Sequence, residues 1–308
     1  MNQQSLIQVS LLTLLSMVAF SANAIICRWA LDHQLIDPMS FTSLRLGSAA
    51  LVLFAVMTWF YWRKSKVNQK SIPEAPNKIS RGSWQAAIVL FVYAMTFSYG
   101  YVAISTATGA LLLAGIVQLT ILGYAVHKGE KLHLAEWIGV GLALIGLIYL
   151  VYPKLTTSSW WGLVMMSMSA FTWALYTING RKSANPLSDT AFNFYRTIPM
   201  IVIASGLSVW LTEETFLTNR GVWLAIVSGG VTTGLGYILW YSALPKISSS
   251  MASSSQLLVP LIAAFGATWL IDEPITMTFM VAALLMLTGL GLVVHGRNQH
   301  RKAANKPL

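Results

Sequence analysis

Ten apolar runs follow one another through this chain, each about as long as the ~20-residue helix needed to cross ~30 Å of hydrocarbon. They occupy residues 6–27, 39–62, 84–104, 107–127, 134–152, 160–180, 189–211, 219–243, 248–271 and 276–296. In lipid such a run has one stable backbone form, the helix, because each N–H and C=O must be bonded within its own segment. The expected fold class is therefore all-α: a polytopic membrane protein of ten transmembrane helices, with the lipid bilayer as its main partner. Composition agrees, since 10% of the 308 residues are charged, against about a quarter in soluble domains.

The formal net charge of +10 would fit a nucleic-acid binder, but the basic residues sit in the connections between apolar runs. They read as topology signals, and no nucleic-acid partner is expected. The connections from odd to even runs hold Arg28, Lys154 and Arg220. Those on the other side hold Arg63, Lys64, Lys66, Lys70, Lys78, Arg81, Lys128, Lys131, Arg181, Lys182 and Lys246. The tail adds Arg297, Arg301, Lys302 and Lys306. Fifteen against three places both termini in the cytoplasm by the positive-inside rule, in a multi-pass protein of a bacterial inner membrane. The long polar stretch from Arg63 to Ser83, with Pro73 and Pro76, reads as an exposed loop.

Ala22-Asn23-Ala24 after an apolar run has the form of a signal-peptide cleavage site, but Met1 to Ser5 carries no Lys or Arg. The first run is expected to stay as a span. The single cysteine, Cys27, excludes an intrachain disulfide and a cysteine metal cluster.

A weak internal repeat divides the chain into residues 1–152, residues 160–296 and a basic tail at 297–308. Shifted by 151, Met17, Ala19 and Phe20 fall on Met168, Ala170 and Phe171, and Phe41, Arg45 and Trp59 fall on Phe192, Arg196 and Trp210. Shifted by 143, Glu130 falls on Glu273 and Gly146 on Gly289. Five helices per copy is an odd number, so the copies insert with opposite orientation. Two such bundles can exchange conformations and open a central site to each side in turn.

These features resemble the ten-helix EamA-type permeases of the drug/metabolite transporter superfamily. The resemblance rests on Arg45 and Arg196 early in the second and seventh helices, Trp173-Ala174-Leu175-Tyr176 and Leu258-Val259-Pro260. It rests also on the acidic turns Gly129-Glu130-Lys131-Leu132 and Asp272-Glu273-Pro274-Ile275. The first helix departs from the commoner Trp-small-polar pattern with Phe20-Ser21-Ala22-Asn23. The resemblance implies a secondary transporter exporting amino acids or related metabolites, with importers and sugar-phosphate or nucleotide-sugar exchangers as more distant relatives.

Polar and aromatic residues at mid-depth are the candidates for a substrate pathway. Gln118, Gln256 and Asn23 are amides that want a partner in lipid, either another helix or a hydrated cavity. Ser169, Trp173 and Tyr176 are spaced i, i+4, i+7 and share a helix face. Tyr93, Tyr99, Tyr237 and Trp240 are candidates of the same kind. Each has packing between helices as its alternative. Arg45 and Arg196 are read either as snorkelling anchors or as a symmetric pair of gates. The glycines of the fifth, eighth and tenth helices read as close packing, with hinges or a homodimer face as further readings. Pro199 and Pro260 are positioned to kink their spans, and the serine runs 248–250 and 253–255 either to line a cytoplasmic entrance or simply to cap and pack.

No Walker loop and no His-Glu-x-x-His motif occurs, and the acids and histidines lie in loops or at span ends. The reading therefore calls for a small-molecule substrate but no cofactor, metal or catalytic residue. Glu136 comes nearest to an intramembrane acid. A membrane enzyme would need clustered acids or histidines, and neither Asp272-Glu273 nor Glu213-Glu214 has a histidine beside it.

Overall fold

The computed structural model describes residues 3–67, 80–129, 132–154, 160–180, 183, 185–212, 215–243, 246–247 and 255–304. The helices of the first half are α1 Gln3–Asp32, α2 Pro38–Val67, α3 Trp84–Ala103, α4 Thr106–His127 and α5 Leu134–Val151. Those of the second are α6 Trp160–Gly180, α7 Pro186–Thr212, α8 Asn219–Ala243, α9 Leu258–Ile271 and α10 Met277–Ala304. Nine are long and apolar enough to cross a membrane among the described residues. The 14 residues of α9 rise about 21 Å at 1.5 Å each, and residues 248–254, which complete the expected span, lie outside the described residues. So do Pro73, Pro76, Glu130, Lys131, Glu213 and Glu214. Past the expected end at 296, α10 continues into the basic tail.

Helix ends are closed by local side chains, which satisfy N–H groups that have no intrahelical partner. Asp37 Oδ1 accepts from Ser40 N at 2.8 Å, Ser83 Oγ from Ala86 N at 3.1 Å and Thr218 Oγ1 from Gly221 N at 3.0 Å. Glu136 does the same for α5, accepting from His133 N at 2.7 Å in a reciprocal capping box. Its burial thus belongs to a helix start. Pro260 is the third residue of α9 and follows a turn at Leu257 that separates α9 from helical Ser255 and Gln256; Pro199 lies inside α7.

The helix order is two-fold. α1 packs between α8 and α9, as α6 packs between α3 and α4, while α2·α7, α4·α9 and α5·α10 pair across the axis. Exchanging the halves maps this set of neighbours onto itself. The α5·α10 pair repeats the exchange in atomic detail. A Cβ on Gly146 would meet Ala282 O and Met286 Cγ at 3.0 and 2.7 Å; one on Gly289 would meet Gly139 O and Ala143 N at 2.5 and 2.6 Å. These are the same contacts after the 143-residue shift.

Small residues let these two backbones touch, which is how lipid-embedded helices gain dispersion contact. Gly289→Ala is expected to cost about 1–3 kcal/mol by overpacking, read as a lower unfolding midpoint in detergent. Gly141→Ala and Gly291→Ala, whose added carbons meet nothing within 4 Å, should leave the midpoint unchanged. Equal midpoints for all three variants would remove the close approach from the account of stability.

The inversion is visible at the surface. α1 begins and α10 ends on one face, here the terminal face. Exposed Trp59, Trp62, Trp84 and Trp137 lie toward that face, and exposed Trp160, Trp161, Trp210, Trp223 and Trp269 toward the far face. Two such aromatic belts are what the two lipid–water interfaces select. The repeat partners Trp59 and Trp210 fall in opposite belts.

Loops tie the halves together on both faces. On the far face Ile36 and Leu217 form an antiparallel bridge, Asp37 N donates to Phe216 O at 3.1 Å and Thr218 N donates to Leu35 O at 3.0 Å. On the terminal face Gly82 N donates to Asp189 Oδ1 at 2.6 Å, Ser83 N to Asn193 Oδ1 at 3.0 Å and Ser188 Oγ to Ser80 O at 2.7 Å.

Candidate functional site

Between the halves lies a cavity of about 530 Å³, within the range of small-molecule sites. Its described lining comes from α1 to α4 and α6 to α9, with the stretches flanking α7 and α9; α5 and α10, paired at the periphery, contribute none of it. The lining reaches the terminal face at Gly180, Ser183, Pro186, Ile247 and Gln256. Toward the far face it ends around Asn23, Arg45, Tyr101 and Ala110.

Beyond that end a charged cluster joins three connections. Arg28 Nε donates to Glu273 Oε1 at 2.9 Å, Arg28 Nη2 pairs with Asp32 at 2.7 Å, and Nη1 donates to Tyr101 O and Val102 O at 2.8 and 3.0 Å. Glu273 Oε2 accepts from Thr106 N at 2.7 Å. The ends of α1 and α3, the start of α4 and the α9–α10 turn are thereby held together. Asp272 makes that turn with φ of 54°, a left-handed position that Asp tolerates better than most residues. Among the described residues, the cavity lining thus reaches the terminal face, while this cluster lies across the far one.

Ten aromatic side chains contribute to its wall. Trp173 lies 4.8 Å from Tyr93, 5.7 Å from Tyr176 and 5.9 Å from Tyr237 between ring centroids. Tyr237 in turn meets Phe20 at 5.8 Å, Phe194 at 5.9 Å and Tyr241 at 5.9 Å. Edge-to-face and offset pairs of this kind add about 0.5–1.5 kcal/mol each beyond area burial, so the wall is a mutually supported surface. Hydroxyls hold its lower part: Asn193 Nδ2 donates to Tyr176 Oη at 3.3 Å and Thr190 Oγ1 to Tyr241 Oη at 3.3 Å.

Three amides join the rings. Asn23 Oδ1 accepts from Ser228 Oγ at 2.7 Å, and the residue lines the cavity. Gln118 and Gln256 line the cavity from α4 and the start of α9, with no hydrogen-bond partner among the described residues.

Arg45 is the charged side chain of the described lining, and it is 2% exposed. Its Nη2 donates to Ala94 O at 2.9 Å, and its guanidinium carbon lies 4.9 Å from the Phe97 ring centre and 5.8 Å from that of Phe41. Cation–π contact of this kind is worth about 2 kcal/mol or more when desolvated, which offsets only part of the cost of burying a charge.

Most of the residues picked from sequence therefore converge. Asn23, Tyr93, Gln118, Trp173, Tyr176, Tyr237, Trp240, Gln256 and Arg45 line one cavity. Tyr99 does not: Tyr93, Phe97 and Tyr101 follow at i, i+4, i+8, and Tyr99 is two residues, about 200°, from Phe97 on α3. Ser169 does not either. It is fully buried and donates to Tyr93 O at 3.2 Å, where α6 lies against the α3 backbone.

Arg196 stands apart from Arg45. It keeps the i−4 ring of its partner, lying 6.0 Å from Phe192 as Arg45 lies 5.8 Å from Phe41. It is half-buried over Trp84 at 5.7 Å, donates to Arg81 O and lines no part of the cavity. Phe20, Phe97, Tyr101, Phe194 and Tyr241 complete the wall unannounced. An i+4 step from Tyr93 and from Tyr237 would have found Phe97 and Tyr241.

Residues 8–152 and 160–295 match the EamA-like transporter family. The chain belongs to that family, and is a multi-pass membrane protein of a transporter class. An uncharacterized protein of Pseudomonas aeruginosa is 38% identical over 287 residues, covering 93% of this chain and 94% of its own. A protein of Escherichia coli named "Probable amino-acid metabolite efflux pump" is 26% identical over 199 residues, covering 61% of this chain and 67% of its own. A solved crystal structure superposes with a TM-score of 0.62 at 16% identity, over 94% of this chain and 98% of that one.

Proposed function

We propose that this protein is a secondary transporter that exports small metabolites, amino acids or related compounds, by alternating access. The observation that carries the reading is the aromatic and amide-lined cavity of about 530 Å³ between two inverted halves, reaching one face and closed at the other. The positive-inside count makes the terminal face cytoplasmic, so the described state is open to the cytoplasm, as an exporter loading its substrate would be. The bacterial inner membrane is the expected location. The resemblance in name of the Escherichia coli relative supports amino-acid metabolites as the first compounds to try.

The test is counterflow. Purified protein in liposomes preloaded with unlabelled amino acids or organic acids should draw in trace labelled compound against empty-vesicle controls. Absence of counterflow across such a panel, in protein that unfolds cooperatively and is therefore folded, would sink the reading.

A further inference from the structure

Two hydroxyls of α8 decide which end of the Asn23 side chain the protein holds. An amide can present either its oxygen or its NH2, and turning it over exchanges an acceptor for two donors. Many hydroxyls of these helices donate to a carbonyl three or four residues back, as Ser21 does to Met17 O at 2.8 Å. Ser228 and Thr233 have no such bond among the described residues; their hydroxyls donate to Asn23 Oδ1 at 2.7 and 3.4 Å. Thr232 lies 3.5 Å from the same oxygen but donates its hydrogen to Ser228 O at 2.7 Å. Turned over, the amide would leave Ser228 and Thr233, in these rotamers, with no acceptor.

The oxygen of Asn23 is therefore engaged, and its nitrogen is not. Nδ2 has no hydrogen-bond partner among the described residues, yet unlike Arg45 Nη1 and the Tyr101 hydroxyl it is not a sealed atom. Asn23 is 8% exposed and lines the cavity, so the surface that Nδ2 keeps is cavity surface. Under the 151-residue shift Asn23 falls on Ala174, so the repeat does not call for an amide at this place in the fold.

Resting on the transport reading and narrowing it, we infer that Asn23 is a specificity-determining donor of the substrate site, with Ser228 and Thr233 as the positioning residues that fix its sense. The substrate class is compounds whose polar end is a carbonyl or carboxylate oxygen. Their apolar body lies against Phe20, one turn away on α1, and Tyr237, whose ring meets that of Phe20 at 5.8 Å. An oxygen acceptor completes the NH2 group, whereas a polar end made only of donors leaves N–H facing N–H, the mismatch by which hydrogen-bonding sites reject near-isosteres. Gln118 and Gln256 have no partner among the described residues, so they can turn to present either end and do not sort substrates in this way.

The probes are 1-indanone and indole, neutral bicyclic compounds of similar size that carry an acceptor and a donor. Binding is measured by calorimetry on the purified protein in nanodiscs, against empty nanodiscs. 1-Indanone is expected to bind about fivefold more tightly than indole, the scale of one net hydrogen bond. Asn23→Leu should erase that preference. Ser228→Ala removes the 2.7 Å donor from a residue outside the cavity lining, frees the amide to turn over, and should raise indole affinity severalfold with little change for 1-indanone. A residue that merely packs would move both probes together. Ser228→Ala also carries the test if Asn23→Leu does not fold.

Equal binding of the two probes by the parent protein, binding of neither, or a Ser228→Ala protein with the parental preference would overturn the assignment. Counterflow separates this from the transport reading. Probe binding in the stated order without counterflow keeps the site and sinks transport; counterflow with no preference for carbonyl compounds over those with donors alone keeps transport and sinks the site.

Discussion

Glu273→Ala is expected to open the far face and raise the rate at which a charged thiol reagent modifies Cys27 by about tenfold or more. Cys27 is fully buried, next in sequence to Arg28, so it reports on that closure without any introduced label. The variant removes the Arg28 ion pair and the acceptor for Thr106 N together, two charge-assisted bonds with both side chains largely shielded. Hydrogen bonds to charged groups are worth about 1.5–3 kcal/mol each, and 1.4 kcal/mol is tenfold in an equilibrium. Opening therefore becomes more frequent even after Arg28 keeps Asp32 and its two carbonyls. Glu273→Gln, which still accepts from Thr106 N, should fall between the two. A Cys27 rate in Glu273→Ala equal to that of the parent protein would show that the cluster is a passive tie.

The second large effect is expected at Trp173, which meets three other rings of the cavity wall. Trp173→Ala leaves room beside Tyr93, Tyr176 and Tyr237, and should shift the preference between a large and a small substrate by tenfold or more, the range in which a pocket discriminates by size. Competition counterflow with both substrates reads the ratio directly. In a Cys27→Ser background, single cysteines at 118, 173 and 256 should react with small water-soluble thiol reagents and be slowed by substrate. A cysteine at 169 should stay inert, because Ser169 is fully buried against α3. Inert cysteines at all of the first three positions, in a protein that transports, would place the pathway elsewhere.

The spans were legible because a bilayer imposes a length and an apolar composition that the sequence cannot hide. Residues 84–104 and 160–180, for instance, became Trp84–Ala103 and Trp160–Gly180. The repeat was legible wherever rare residues marked it, and the reciprocal contacts of Gly146 and Gly289 follow the predicted shift. Which face of each helix points inward was less legible, and for a physical reason. A helix in lipid is apolar all round, so the amphipathic signal that identifies the core face of a soluble helix is missing. Tyr99 and Phe97 therefore looked alike. Arg28 with Glu273 was hidden for another reason: 245 residues separate them, and each alone read as a topology charge or a family mark. Arg45 and Arg196, matched by the repeat, have different surroundings, the first buried at the cavity end and the second half-buried over Trp84, and the sequence carries no mark of that difference.

The middle of α8 is wound as a π-helix from Ser228 to Leu235. Gly229 lies where an added Cβ would collide with Arg45 O, and Ser228 holds Asn23, so this wide stretch is clamped to both α1 and α2. Tyr237, Trp240 and Tyr241 follow immediately, on the cavity wall. An α-helix turns about 100° per residue, whereas a π turn takes up an additional residue without advancing the helix by that angle. The sense in which these three rings face the cavity is therefore set by winding upstream of them. Rewinding the stretch by a single residue would swing the whole trio about a quarter of the way round the helix, making α8 a rotary element whose angle is fixed by its grip on Asn23 and the Arg45 backbone.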